Sequence, residues 1–127
     1  MRIIISIIGS FFFLTSCTST DSTSRKQEDS HQHTLSVQNV SAAEARNIIS
    51  EHPNIGILDV RTPAEFAEGH IKGAINVDFK ASDFAKEISK LDTHRSYILH
   101  CRSGSRSGQS LPVLKKHNFS KIYHLNK

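Results

Sequence analysis

The chain has 127 residues with two cysteines, no tryptophan, 37% hydrophobic and 22% charged residues, and a formal net charge of +4. That length holds one domain and excludes two of ordinary size, and a composition near the globular average excludes a disordered tail or a collagen-like chain. So small a net charge gives no case for nucleic acid as a partner. The average conceals three unlike stretches: an apolar start, a polar run, and a patterned remainder.

Arg2 supplies a positive start, and Ile3 to Leu14 is a twelve-residue stretch with nine large apolar side chains. As a helix it would reach roughly 18 Å at about 1.5 Å per residue, short of a bilayer core of about 30 Å. Residues 1–16 therefore read as an export signal. Its end, Leu14-Thr15-Ser16-Cys17, resembles the lipobox of bacterial lipoproteins, whose Cys becomes the first mature residue and carries the lipid. The resemblance implies lipidation of Cys17 and anchorage to a membrane, with several acyl chains because one alone binds marginally. Thr18, where Asp would signal inner-membrane retention, points to the periplasmic face of the outer membrane if the source has two membranes.

Residues 18–34 hold eight Ser or Thr and no large apolar side chain. Such a stretch cannot bury enough surface to offset its ordering entropy, so residues 17–34 read as the lipidated Cys followed by a flexible tether. The pair His31-x-His33 fits this solvated linker better than it fits a metal site. Residues 35–127 remain for one modest core. With Cys17 acylated, Cys101 is the single free thiol of an exported protein, an unusual condition outside the cytosol.

Leu35-Ser36-Val37 opens the domain as a short strand. Ser41-Ala42-Ala43-Glu44 spells a capping box, and the helix it starts should end near Glu51, before Pro53. Ile55 to Val60 is a nearly continuous apolar run, as for a strand covered on both faces. Thr62-Pro63-Ala64-Glu65 is a second capping box with Pro at the first helical position, and Gly69 can end that helix. Ala74 to Val77 is a further strand. Phe84, Ile88 and Leu91 share one face of a helix over 82–91. Tyr97 to His100 is an inner strand running into Cys101, residues 106–117 look helical, and Lys121 to Leu125 returns as a strand. The alternation predicts a three-layer α/β/α domain around a mainly parallel sheet of about five strands, with sites at the carboxyl ends of strands. Asp59, Arg61 and Cys101 all fall there.

Cys101-Arg102-Ser103-Gly104-Ser105-Arg106-Ser107 joins the apolar strand to a helix. A turn of Gly and Ser aims backbone N–H groups inward as an anion nest, the helix N-terminus adds donors, and Arg102 and Arg106 add full charges. Each favours thiolate over thiol, so the Cys101 pKa should fall below the free value of about 8.5. Gly104 allows close backbone approach or a positive φ. From Thr93 to the end there are seven Lys or Arg and no Asp or Glu, against six basic and nine acidic residues from Leu35 to Asp92. The positive surplus surrounds the loop and would steer a small anion toward it.

Two stretches, LDVRTPAEFAEGHIKGAINV (58–77) and HCRSGSRS (100–107), resemble the rhodanese family, and the likeness extends over nearly all of residues 35–125. The resemblance implies a double-displacement sulfurtransferase with no metal or organic cofactor. Cys101 would be the catalytic nucleophile, taking a sulfane sulfur from a small anionic donor such as thiosulfate and yielding it to cyanide or a thiol. The loop from Arg102 through Ser103, Gly104 and Ser105 to Arg106 would bind the substrate and stabilise the terminal persulfide sulfur, with Arg106 closing the loop. Asp59 and Arg61 match a D-x-R at a strand end, in a supporting role. Glu65 reads as a capping residue, His70 as a packing or hydrogen-bonding one, and His100 as a strand-end residue.

Two features depart from the family pattern. A Gly-Gly segment and final helix usually follow the last strand, and their loss would bare one sheet face. Pro112 would cost a helix begun at Arg106 about 3 kcal/mol unless the helix kinked or started later with Ser110 as its cap. Phosphatases and arsenate reductases of the same fold are a weaker alternative, because their loop is one residue longer than the span from Cys101 to Arg106. A non-catalytic module that binds or carries sulfane sulfur is the other.

Overall fold

The computed structural model describes residues 34–126. The expected signal segment, Cys17, the His31-x-His33 pair and nearly all of the tether lie outside the described residues. Among the described residues no helix is long and apolar enough to cross a membrane.

The elements run β1 (Ser36–Val40), α1 (Ala42–Glu51), β2 (Gly56–Asp59), α2 (Pro63–Glu68), β3 (Ile75–Asn76), α3 (Phe84–Ile88), β4 (Ser96–His100), α4 (Ser105–Lys116) and β5 (Lys121–Leu125). All five strands are parallel, in the order β1-β5-β4-β2-β3. Both capping boxes form: the Ser41 and Thr62 hydroxyls accept from the N–H groups of Glu44 and Glu65, whose carboxylates accept from the cap N–H groups.

Side-chain alternation on β4 divides the core. Tyr97 and Leu99 join Leu58, Phe84, Ile88, Leu114, Phe119 and Ile122 on the face covered by α3 and α4. Ile98 points the other way, to Val40 and Ala45 beneath α1. Two packed faces make the three layers. Strand β2 sits close on the central strand β4: a Cβ on Gly56 would lie 2.2 Å from the Tyr97 ring, so only glycine fits.

Several boundaries differ from expectation. The third helix is shorter at both ends, because Asp83 makes no side-chain cap and the chain turns away after Ser89. The fourth starts at Ser105, not at a Ser110 cap, and runs on through Pro112. The residue four before Pro112 is Gly108, whose carbonyl goes without the usual helical donor. Val37, 42% exposed on edge strand β1, is the exposed large hydrophobic side chain among the described residues.

Candidate active site

The carboxyl ends of β2 and β4 stand side by side, with Leu58 paired to Leu99 and Asp59 to His100. This places the β2–α2 turn against the loop that leaves β4. The Asp59 carboxylate is wholly buried and takes Nε and Nη2 of Arg61 in a forked pair at 2.7–3.0 Å. Arg61 Nη2 also donates to the Gly69 carbonyl at 2.8 Å, strapping the far end of α2 to the sheet. Removing that arginine would strand a buried charge, a loss of about 3–5 kcal/mol. The pair is a brace.

Cys101 follows β4 directly and is half-buried. Gly104, at φ 87°, folds the loop back so that its own N–H donates to Cys101 Sγ at 3.1 Å and its carbonyl begins the α4 hydrogen-bond ladder. A Cβ there would meet Asn126 Oδ1 at 2.7 Å, a second reason for glycine. The Ser107 hydroxyl reaches Sγ at 3.4 Å. Burial pushes the Cys101 pKa up, but the Ser107 hydroxyl and the N–H groups of Ser107, Ser103 and Gly104 together outweigh it, and the net shift is down. The direction is the expected one. The foremost agents are hydrogen-bond donors, and of the two loop arginines Arg106 adds its charge.

The two loop arginines take separate paths. Arg106 Nη1 and Nη2 grip the two oxygens of Glu65 at 2.6 and 2.8 Å, joining α4 to α2. The Arg106 guanidinium first, then the Thr62 N–H, hold the Glu65 carboxyl well below the usual carboxylate range. Glu65 is thus a cap and a latch together. Arg102 is exposed at the rim of an open cleft of about 440 Å³, whose floor includes Cys101 and whose walls include Arg61, His70 and Ile71. None of the residues lining this cleft is acidic. Ser103 gives its N–H to the sulfur, whereas Ser105 lies on the exposed side of α4 with its hydroxyl accepting from Gln109 at 3.1 Å.

The histidines divide too. His70 stacks on Phe66 at 3.8 Å, with Nδ1 2.9 Å from the Phe66 carbonyl, as a packing residue would. His100 is buried beside Asp59, its Nε2 3.6 Å from Oδ2 and without a hydrogen bond. Burial lowers its pKa against the opposing pull of Asp59. Unforeseen is a third, His124 on β5. Its Nε2 lies 2.8 Å from Ser107 Oγ and its Nδ1 3.1 Å from Asn39 Oδ1. The signal for it was a polar side chain in step with buried Ile122 on an otherwise apolar strand face.

Residues 41–127 match the model of the rhodanese-like domain family. The chain belongs to that family. A thiosulfate:glutathione sulfurtransferase of Saccharomyces cerevisiae is 30% identical over 105 residues, covering 73% of this chain and 76% of the yeast protein. A probable adenylyltransferase/sulfurtransferase, MoeZ of Mycobacterium tuberculosis, is 30% identical over 86 residues, covering 68% of this chain but 22% of the larger protein. The crystal structure of a rhodanese-like domain protein from Staphylococcus aureus shares the fold, with a TM-score of 0.62 at 21% identity over 70% of this chain and 84% of that one. Family membership and relatives named as sulfurtransferases support a role in sulfur transfer for the rhodanese-like domain.

Proposed function

We propose that the rhodanese-like domain transfers a sulfane sulfur from a thiosulfate-like donor, through a persulfide on Cys101, to a thiol or to cyanide. The observation that carries this reading is the Cys101 sulfur itself, held by the Gly104 N–H and the Ser107 hydroxyl on the floor of a cleft without acidic lining. In the first step the thiolate attacks the outer sulfur of thiosulfate, the S–S bond to the sulfonate breaks, and sulfite leaves with the electron pair. The enzyme then carries its extra charge on the outer sulfur of Cys101–S–S⁻. An acceptor thiolate or cyanide attacks that outer sulfur and releases the Cys101 thiolate, so neither step consumes a proton or needs an oxidant.

The inward N–H groups of Ser103, Gly104 and Ser107 suit an anionic sulfur in both the free and the loaded enzyme. Arg102 at the rim suits an anionic donor. The yeast relative's name pairs thiosulfate with a thiol acceptor, which favours the same pairing here. Phosphoryl chemistry is disfavoured because Arg106 spends both terminal nitrogens on Glu65 and presents neither to the nest.

The test is mass spectrometry of the purified protein after exposure to thiosulfate. The reading requires a gain of one sulfur atom, lost on adding cyanide and absent in Cys101→Ser, which should also lose at least about a thousandfold in thiocyanate production. Absence of the adduct at every thiosulfate concentration would leave a binding module instead.

We also propose that residues 1–16 are an export signal and that Cys17 carries a lipid anchoring the domain to a membrane, at the periplasmic face of the outer membrane in a two-membrane cell. Arg2, the apolar run Ile3 to Leu14 and the Leu14-Thr15-Ser16-Cys17 sequence support this. Labelling of cells with an alkynyl fatty acid should mark the protein and fail to mark Cys17→Ser. Equal labelling of both would sink the anchor.

A further inference from the structure

Behind the loop, on the side away from the cleft, an unbroken line of hydrogen-bonding groups runs into the domain. It passes from Cys101 Sγ to Ser107 Oγ at 3.4 Å, from Ser107 Oγ to His124 Nε2 at 2.8 Å, and from His124 Nδ1 to Asn39 Oδ1 at 3.1 Å. Four elements meet there: the β4 end, α4, β5 and β1. Ser107 and His124 are both buried, whereas Asn39 sits at the exposed edge.

Hydrogen-bond chemistry gives this line a direction. The Asn39 carbonyl oxygen accepts only, so the His124 proton sits on Nδ1 and the Nε2 lone pair faces Ser107. The Ser107 hydroxyl therefore donates inward to His124, and its own lone pair is left to accept the thiol S–H. A serine that needed only a partner already has one, since the Gly104 carbonyl lies 3.0 Å from Oγ. The histidine adds something a satisfied serine does not require.

We propose that Ser107, His124 and Asn39 form a proton relay that draws the Cys101 proton into the domain, leaving the sulfur anionic on its cleft side. The thiol S–H bond breaks as its proton passes to Ser107 Oγ, and the Ser107 hydroxyl proton passes to His124 Nε2. The products are a thiolate and an imidazolium, with no proton gained or lost overall. The reversed line then runs His124 Nε2–H to Ser107 Oγ, and Ser107 O–H to the sulfur, so every group keeps a partner. Ser107 touches the reacting atom; His124 and Asn39 are positioning residues.

The surroundings suit the role. Facing His124 are Asn39 from β1, Leu99 from β4, Ser107 and Gly108 from α4, and the Gly104 carbonyl from the loop, all uncharged. Cys101, beyond Ser107, is the titratable group in the line, and Arg106 is turned to Glu65. Burial keeps the resting imidazole neutral and works against the imidazolium, whereas the Gly104 carbonyl favours the protonated ring. The inference deepens the sulfurtransferase reading and rests on Cys101 being its nucleophile.

The test is the pH dependence of Cys101 alkylation by iodoacetamide, measured on the folded full chain. In His124→Gln the lower limb should move to higher pH, making alkylation near pH 6 about tenfold slower with the alkaline plateau unchanged. At the exposed edge, Asn39→Asp should hold the imidazolium better and move the limb to lower pH, whereas Asn39→Leu should move it the other way. These edge variants keep the test open if His124→Gln fails to fold. Superimposed profiles, an equal loss at every pH, or a shift of both Asn39 variants in one direction would overturn the relay. Alkylation needs no sulfur donor, so a wild-type protein that refuses sulfur from thiosulfate would defeat the sulfurtransferase reading separately.

Discussion

The reactive loop is held from two sides that have almost nothing in common. On one side Arg106 and Glu65 form a charged latch, 18% and 25% exposed, between α4 and α2. On the other, Ser107 and His124 are uncharged at rest and buried between α4 and β5. A partly exposed ion pair is screened by water and salt and contributes little energy, but it fixes where the helix stands. A buried hydroxyl that touches the sulfur acts undiluted by solvent. The charged side places the loop; the neutral side does most to set the acidity of the thiol.

Removing Ser107 should have the largest effect. Ser107→Ala deletes the foremost of the groups lowering the Cys101 pKa, so alkylation near neutral pH should slow about tenfold as the midpoint rises. A profile like that of the wild type would reverse the comparison and hand the acidity to the arginines. Glu65→Gln should act more mildly. The capping contacts of Glu65 can persist in Gln, Arg106 loses its charged partner, and kcat/KM for thiosulfate should fall about threefold with the alkylation midpoint unmoved.

The latch also carries a pH signature of its own. Because the Glu65 carboxyl is held below its usual range, its contribution to stability is complete above the ordinary carboxylate pKa of about 4.3 and fades only as pH falls further. Acid unfolding curves of wild type and Glu65→Gln should therefore differ at neutral pH and converge in strong acid. Smallest for catalysis is Pro112→Ala, a control outside both sides. It restores a helical donor for the Gly108 carbonyl and should raise stability by about 1–3 kcal/mol in denaturant melts, with activity within about twofold.

The near-neighbour features of this chain were legible in its sequence. Both capping boxes, the strand that delivers Cys101 and the glycine turn behind it each depend on residues within a few positions of one another. The brace between Asp59 and Arg61 is equally local, but the sequence places the two only at a strand end and does not foretell their pairing. What else stayed hidden spans long stretches of chain. Glu65 and Arg106 are 41 residues apart, and His124 and Asn39 are 85 apart. They meet because β5 inserts between β1 and β4, an order that hydrophobic alternation cannot specify. Ser107 stood inside the recognised loop, yet its role depends on a histidine that only this strand order brings beneath it. Pro112 argued for a kink or a later start because an isolated helix would break there, but α4 starts at Ser105 and is pinned by Leu114 in the core.

The most direct measurement is the extent of sulfur loading on Cys101 by thiosulfate as a function of pH, followed by intact mass. The account predicts a loading midpoint clearly below the free-thiol value of about 8.5. A midpoint at or above that value, or no loading across the range, would contradict it.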